Sequence, residues 1–138
     1  MSNVPDQTST TLRESRRPVP RLTPIKATFE LDAHQLRAVK SWAGRRILSL
    51  AAVVRALLTE LTRDPATGHQ IAARLPEAPA PATPAKTTID LDPGLYGDVR
   101  AWVADHDTTA AAALRLLLTD LLTDEHLAAR VHVRAATN

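Results

Sequence analysis

The chain has 138 residues, of which 44% are hydrophobic and only 3% aromatic, and its formal net charge is +2. This length suits one compact domain, and a core built from Leu, Val and Ala favours helices over a β-sandwich. The absence of cysteine excludes disulfides and thiolate metal sites, and with neither a membrane-length apolar run nor the apolar region of a signal peptide we expect a soluble, cytoplasmic protein.

Residues 1–22 are rich in Ser, Thr, Pro and Arg and lack apolar periodicity, so we predict a disordered basic tail. From residue 23 the chain repeats itself, since residues 23–64 align without a gap with residues 83–124, with sixteen identical pairs. We therefore predict two copies of one structural unit, at 23–75 and 86–133, joined by a proline-rich linker at 76–85. A unit of about fifty residues is too small to bury a core alone, which implies that the copies complete each other.

Charge is distributed unevenly between the two copies. Residues 27–75 carry seven basic and four acidic side chains, a net charge of +3, whereas residues 86–138 carry five basic and eight acidic side chains, a net charge of −3. The first half is therefore the better partner for a polyanion.

Each copy begins with a short run of alternating apolar and polar residues, at 26–31 and 86–91, which predicts a strand with one buried face. A lone strand leaves its backbone groups unpaired, so we expect the two strands to pair as an antiparallel ribbon, either within one chain or, by swapping, between two chains. The polar face of this ribbon receives one Lys, one Thr and one acid from each copy, namely Lys26, Thr28, Glu30, Lys86, Thr88 and Asp90.

Two helices are predicted after each strand. Asp32 and Asp92 stand at N-cap positions, and Gln35 completes a capping-box pattern with Asp32. The first helix ends at the polar turns 45–46 and 105–107, and Ser49 and Thr109 begin the second helix, with a short third helix at 68–75 and 125–133. The first helix carries an apolar stripe in each copy, formed by Leu36, Val39, Trp42 and Ala43, and by Tyr96, Val99, Trp102 and Val103.

This order of elements resembles the ribbon-helix-helix (Arc/MetJ/CopG-like) DNA-binding family. The stretches that carry the resemblance are KATFELDAHQLRAVKSW with ILSLAAVVRALLTEL, and KTTIDLDPGLYGDVRAW with DTTAAAALRLLLTDLL. Two copies in one polypeptide resemble the fused pseudo-dimers of TraY-type relaxosome accessory proteins. The expected fold is mostly α with a short two-stranded antiparallel β-ribbon, a tandem ribbon-helix-helix pseudo-dimer.

The resemblance implies that the polar face of the ribbon reads the major groove of duplex DNA. Lys can donate to guanine, Thr can contact a base or a thymine methyl group, and a carboxylate can accept from cytosine N4. The helix N-termini at Ser49 and Thr109 are expected to hold phosphates, with Arg45 and Arg46 adding positive charge beside the first. In a purely structural interpretation Ser49 and Thr109 are helix caps, and both Trp residues belong to the core.

The process that such a protein serves stays open. Transcriptional repression, plasmid partition by centromere binding, relaxosome assembly and antitoxin action all use this scaffold. The basic tail resembles those of partition proteins whose arginines stimulate a ParA-type ATPase, and Arg13, Arg16 or Arg17 could act in that way here. The acidic second copy would instead suit a protein-interaction module that has lost DNA binding.

No set of residues predicts catalysis or a cofactor. The five histidines stand at unrelated spacings, the four glycines form no phosphate-binding loop, and no nucleophile recurs with a base and an orienting acid. We therefore expect a protein that is not an enzyme and that works without a metal or a cofactor.

Overall fold

A computed structural model describes residues 23–137, so the predicted basic tail at 1–22 lies outside the described residues. The chain is mostly helical with one two-stranded antiparallel sheet, as predicted. The first copy contains β1 (Ile25–Asp32), α1 (Ala33–Arg45), α2 (Leu50–Arg63), α3 (Pro65–Arg74) and a short 3-10 turn (Leu75–Glu77). The second copy contains β2 (Pro84–Leu91), α4 (Pro93–Asp105), α5 (Ala110–Thr123) and α6 (Glu125–Ala136).

The two strands pair with each other within the one chain. Thr28 lies opposite Thr88, Lys26 opposite Asp90 and Glu30 opposite Lys86. Because equivalent residues of the two copies are sixty positions apart, the Thr28–Thr88 pair marks an approximate two-fold axis between the copies. The sequence prediction of an antiparallel ribbon is confirmed.

The inner face of the ribbon covers a core of aliphatic side chains. Phe29, Leu31, Ile89 and Leu91 are all buried, in agreement with the predicted alternation. The two longest helices, α2 and α5, pack against each other, and α2 also packs against β2 while α5 packs against β1. Each strand is therefore supported by the second helix of the other copy, so the two copies share one core.

The helix starts follow the predicted caps, but the predicted capping box is wrong. The Asp32 carboxylate accepts hydrogen bonds from the N–H groups of His34 and Gln35, as an N-cap does. The Gln35 side chain does not return to Asp32; its Nε2 donates to the backbone oxygen of Arg115 at 3.0 Å and to Thr119 Oγ1 at 2.9 Å. The neighbouring helix α5 offers these two acceptors together, so a contact between copies replaces the local one.

Element boundaries differ from the sequence prediction at three places. The third helix of the first copy begins earlier than expected, at Pro65, because Asp64 caps it, whereas that of the second copy begins at Glu125 as predicted. The last helix continues to Ala136, beyond the predicted end of the second copy. Part of the predicted linker is ordered secondary structure, since it opens within the 3-10 turn and β2 already starts at Pro84.

The apolar stripe of the first helix is buried fully in only one copy. All four predicted stripe residues of α1 are buried. In α4 the buried residues are Leu95 and Val99, whereas Tyr96, Trp102 and Val103 pack against the core but are only half-buried. Leu95 stands where the first copy has the polar Gln35, and an additional apolar residue turned inward shifts the buried stripe of α4.

Two acids at equivalent positions of α2 and α5 form ion pairs across the copies. Glu60, with only 2% of its side chain exposed, accepts from Arg130 Nε at 2.9 Å and from Arg134 Nη2 at 2.9 Å. Asp120 accepts from Arg74 at 2.6 Å. These hydrogen bonds to Glu60 and Asp120 are the main cause that raises the pKa of Arg130 and of Arg74. Sequence reasoning missed all three ion pairs.

No helix within residues 23–137 combines the length and the apolar character needed to cross a bilayer.

Candidate nucleic-acid interface

The outer face of the ribbon carries the six predicted residues as three cross-strand pairs. All six side chains are exposed, as the alternation predicts. At the centre, Thr28 Oγ1 and Thr88 Oγ1 lie 2.9 Å apart and share one hydrogen bond. To one side, Lys26 Nζ donates to Asp90 Oδ1 at 3.2 Å, and to the other side Glu30 faces Lys86.

This outer face is balanced in charge, because its two lysines are matched by two carboxylates. The Lys26–Asp90 pair is well hydrated, with 77% and 51% of the side chains exposed. A solvent-exposed ion pair of this kind contributes only about 0–1 kcal/mol, so Lys26 can leave Asp90 for another acceptor at little cost. The face offers donors and acceptors in alternation but little net attraction for a polyanion.

Two arginines support the strands from the helices. Arg115 Nη1 on α5 donates to the backbone oxygen of Glu30 at 2.7 Å, and Arg55 Nη1 on α2 donates to that of Asp90 at 3.4 Å. These contacts leave the side chains of Glu30 and Asp90 on the outer face while their backbone is held. Sequence reasoning missed this role; the available signal was an identical Arg pair at an offset of sixty on two helices rich in apolar residues.

The end of the ribbon beside α1 is tied by Asp32. Its Oδ1 accepts from the Thr83 N–H at 3.0 Å, and the Ala33 N–H donates to the Thr83 oxygen at 2.8 Å. The hydrogen bond from Thr83, followed by that from the Gln35 N–H, lowers the pKa of the Asp32 carboxyl. The linker is therefore fastened where it enters β2.

Ser49 and Thr109 act as helix caps. Ser49 Oγ accepts from the Ala52 N–H at 3.0 Å, and Thr109 Oγ1 accepts from the Ala112 N–H at 3.1 Å. The structural interpretation of both hydroxyls is thus confirmed. The first N–H groups of α2 and α5 have no partner inside the helix, which is the general condition for anion binding at a helix N-terminus.

The turns before these two helices differ strongly in charge. The first turn contains Arg45, which donates to Ser41 Oγ at 2.8 Å, and Arg46. The Arg46 guanidinium lies 4.1 Å from the centre of the Trp42 ring and donates to the Trp42 backbone oxygen, so it is partly committed to the fold. At the equivalent positions the second turn has Asp105 and a histidine stacked on Trp102, followed by a second exposed aspartate.

Arg13, Arg16 and Arg17 lie outside the described residues. Among residues 23–137, no group of three or more His, Asp or Glu side chains is placed to hold a metal ion.

Comparison of the chain with models of protein families, with curated proteins and with solved structures finds no match.

Proposed function

We propose that this chain binds duplex DNA as a single-chain ribbon-helix-helix pseudo-dimer and reads the major groove with the outer face of its ribbon. The observation that carries the proposal is the polar outer face, centred on the Thr28–Thr88 pair and placed on an otherwise helical scaffold. A two-stranded ribbon fits the roughly 12 Å width of the major groove.

The side chains of this face suit recognition of base edges. Lys26 and Lys86 can donate to guanine, the two threonines can bond to a base or contact a thymine methyl group, and the acids can accept from cytosine. Each class of residue occurs once per strand, so the two strands would read related half-sites. The strands are backed by Arg55 and Arg115, which favours a rigid reading surface.

Phosphate contacts in this proposal come from the helix N-termini and from the first turn. The start of α2 combines free N–H groups with the positive charge of Arg45 and Arg46. The start of α5 has the same N–H groups, but Asp105 and Asp107 stand beside it and repel phosphates. The affinity for DNA should therefore come chiefly from the first copy.

The proposal is tested by selecting bound duplexes from a random pool at low salt and measuring their affinities by fluorescence anisotropy. Thr28→Ala and Thr88→Ala should relax base preference while changing the free energy of unfolding by less than about 0.5 kcal/mol, as expected for surface positions. The matched control is Phe29→Ala on the inner face, which should instead destabilise the fold by about 3 kcal/mol or more. Unchanged base preference in both Thr variants would mean that the ribbon does not read DNA.

A second candidate is a protein-interaction module built on the same scaffold. The zero net charge of the outer face and the acidic second turn favour it. It predicts no duplex binding even at low salt, where non-specific electrostatic binding is strongest.

For the DNA-binding proposal, the process is repression, plasmid partition, relaxosome assembly or antitoxin action. A ParA-type ATPase, a relaxase or a toxin encoded beside this protein would select among them.

A further inference from the structure

A groove lies between the linker and α5. Residues Pro79–Ala82 cross this groove, which retains a cavity of about 300 Å³ bounded on the other side by Gln35, Arg115, Leu116 and Thr119. Leu116 is buried, with 6% of its surface exposed. The linker thus lies along α5 and forms one wall of this groove.

A second groove occupies the equivalent position on the other side of the approximate two-fold axis. It holds a cavity of about 400 Å³ lined by Pro24, Arg55, Thr59, Asp90, Asp92 and Leu95. Four of these residues stand sixty positions from Asp32, Gln35, Arg115 and Thr119, which line the first cavity. The two grooves are therefore equivalent, although no part of the linker lines the second.

We propose that residues 19–22 of this same chain dock in the second groove as Pro79–Ala82 dock in the first. Residues 19–22 stand sixty positions before Pro79–Ala82, and the chain reaches them directly from Pro24, which lines the groove. The repeat is intact at the junction, since Thr23 and Pro24 match Thr83 and Pro84.

The sizes of the apolar side chains match in a compensating way. In the first groove the bulky Leu116 and the small Ala80 and Ala82 of the linker line the same cavity. At the equivalent positions on the side of the second groove, Ala56 replaces Leu116 and Leu22 replaces Ala82. The larger side chain of each pair therefore belongs to the helix in the first groove and to the proposed segment in the second.

Polarity and charge also differ between the two grooves in a way that suits residues 19–22. The polar Gln35 of the first groove is replaced by the apolar Leu95 in the second, and the proposed segment contains the apolar residues Val19 and Leu22. Arg21 replaces Pro81, and the second groove carries the two carboxylates of Asp90 and Asp92. The second groove lacks one backbone hydrogen bond of the first. In the first groove the Ala33 N–H donates to the Thr83 oxygen, and Pro93, at the position equivalent to Ala33, has no N–H.

Disulfide trapping in the full-length chain tests the proposal, since the protein has no cysteine of its own. Each of residues 16–22 is changed singly to Cys together with Thr59→Cys, and the rate of disulfide formation is measured. A docked segment gives one position within 19–22 that reacts several times faster than its neighbours on both sides. Rates that fall smoothly with distance from Pro24 would overturn the proposal. Pro79→Cys with Thr119→Cys serves as the reference for a docked segment.

A second measurement uses the tail residue expected to fill the groove. Leu22→Ala should lower the melting temperature and shift the amide resonances of Thr59 and Leu95, because it removes the side chain proposed to cover them. The matched control Leu12→Ala lies in the same tail, outside the proposed segment, and should leave both unchanged. Equal effects of the two variants would contradict docking. Both measurements are made without DNA, so their outcome is independent of the proposed DNA binding.

Discussion

Arg115 on α5 donates to the backbone oxygen of Glu30 at 2.7 Å, and Arg55, sixty positions earlier on α2, makes the equivalent contact with Asp90 at 3.4 Å. In each case the helix of one copy holds the strand of the other. The two guanidinium groups therefore belong to the support of the ribbon and not to its outer face. A cation in the predicted DNA-binding half of the chain is thus not always available to DNA.

The difference between these two contacts predicts unequal effects on stability. Arg115→Ala removes a short hydrogen bond from a charged donor and should lower the free energy of unfolding by about 1.5–3 kcal/mol. Arg55→Ala removes a longer bond and should have a smaller effect. Urea unfolding of both variants measures this difference. Equal losses would show that the two contacts support the ribbon to the same extent.

Local sequence patterns predicted the ribbon, its two faces and most helix starts, because alternation, caps and turns depend on neighbouring residues. The partner of Gln35 could not be predicted, since its capping-box pattern is satisfied locally only when no better acceptor lies nearby. The burial of Glu60 could not be predicted either, because an acid in a helix is usually solvated. Its two arginine partners come from the far end of the chain. The one available signal was that Glu60 and Asp120, sixty positions apart, are both acids.

The buried carboxylate of Glu60 predicts an asymmetric response to mutation. The double variant Arg130→Ala with Arg134→Ala leaves a buried charge without its partners and should destabilise the fold by about 3–5 kcal/mol. Glu60→Leu should be much milder, because both arginines are partly exposed and can turn to solvent. Equilibrium unfolding in urea compares the two. Arg74→Ala is the matched control, with a smaller expected loss because its partner Asp120 is more exposed than Glu60.

The turn before α2 contains a strained residue. Ile47 has a φ of 57° and is 93% exposed, so its branched side chain gains no burial in return for the left-handed backbone. Ile47→Gly should therefore stabilise the fold by about 1–2 kcal/mol. Asp107 has the same conformation in the second copy, with a φ of 51°. Because Asp tolerates this region better, Asp107→Gly should give a smaller gain in melting temperature.

Asp32 predicts part of the stability against acid. Its pKa in the folded state is lowered, chiefly by the Thr83 N–H, below the value of about 3.9 for an unfolded chain. The ionised form therefore stabilises the fold at all pH values above about 4, and this contribution is lost as the pH falls through the lower folded-state pKa. In Asp32→Asn the stability should depend less steeply on pH below about 4, as measured by urea unfolding across pH. Asp98→Asn removes a charge from exposed surface and serves as the control; an equal change there would refute the assignment.

The contrast between the two turns predicts that salt dependence belongs to the first copy. Each phosphate contact contributes about 0.9 to the slope of log K against log salt, so Arg45→Gln should reduce the magnitude of that slope by up to about 0.9. Arg37→Gln, an exposed charge on α1 away from the turn, is the matched control with little expected change. Asp105→Arg gives the second turn the charge of the first, and it should raise both the affinity and the slope. If Arg45→Gln and Arg37→Gln change the slope equally, the first turn makes no specific phosphate contact. If Asp105→Arg leaves the affinity for DNA unchanged, α5 does not approach the DNA backbone.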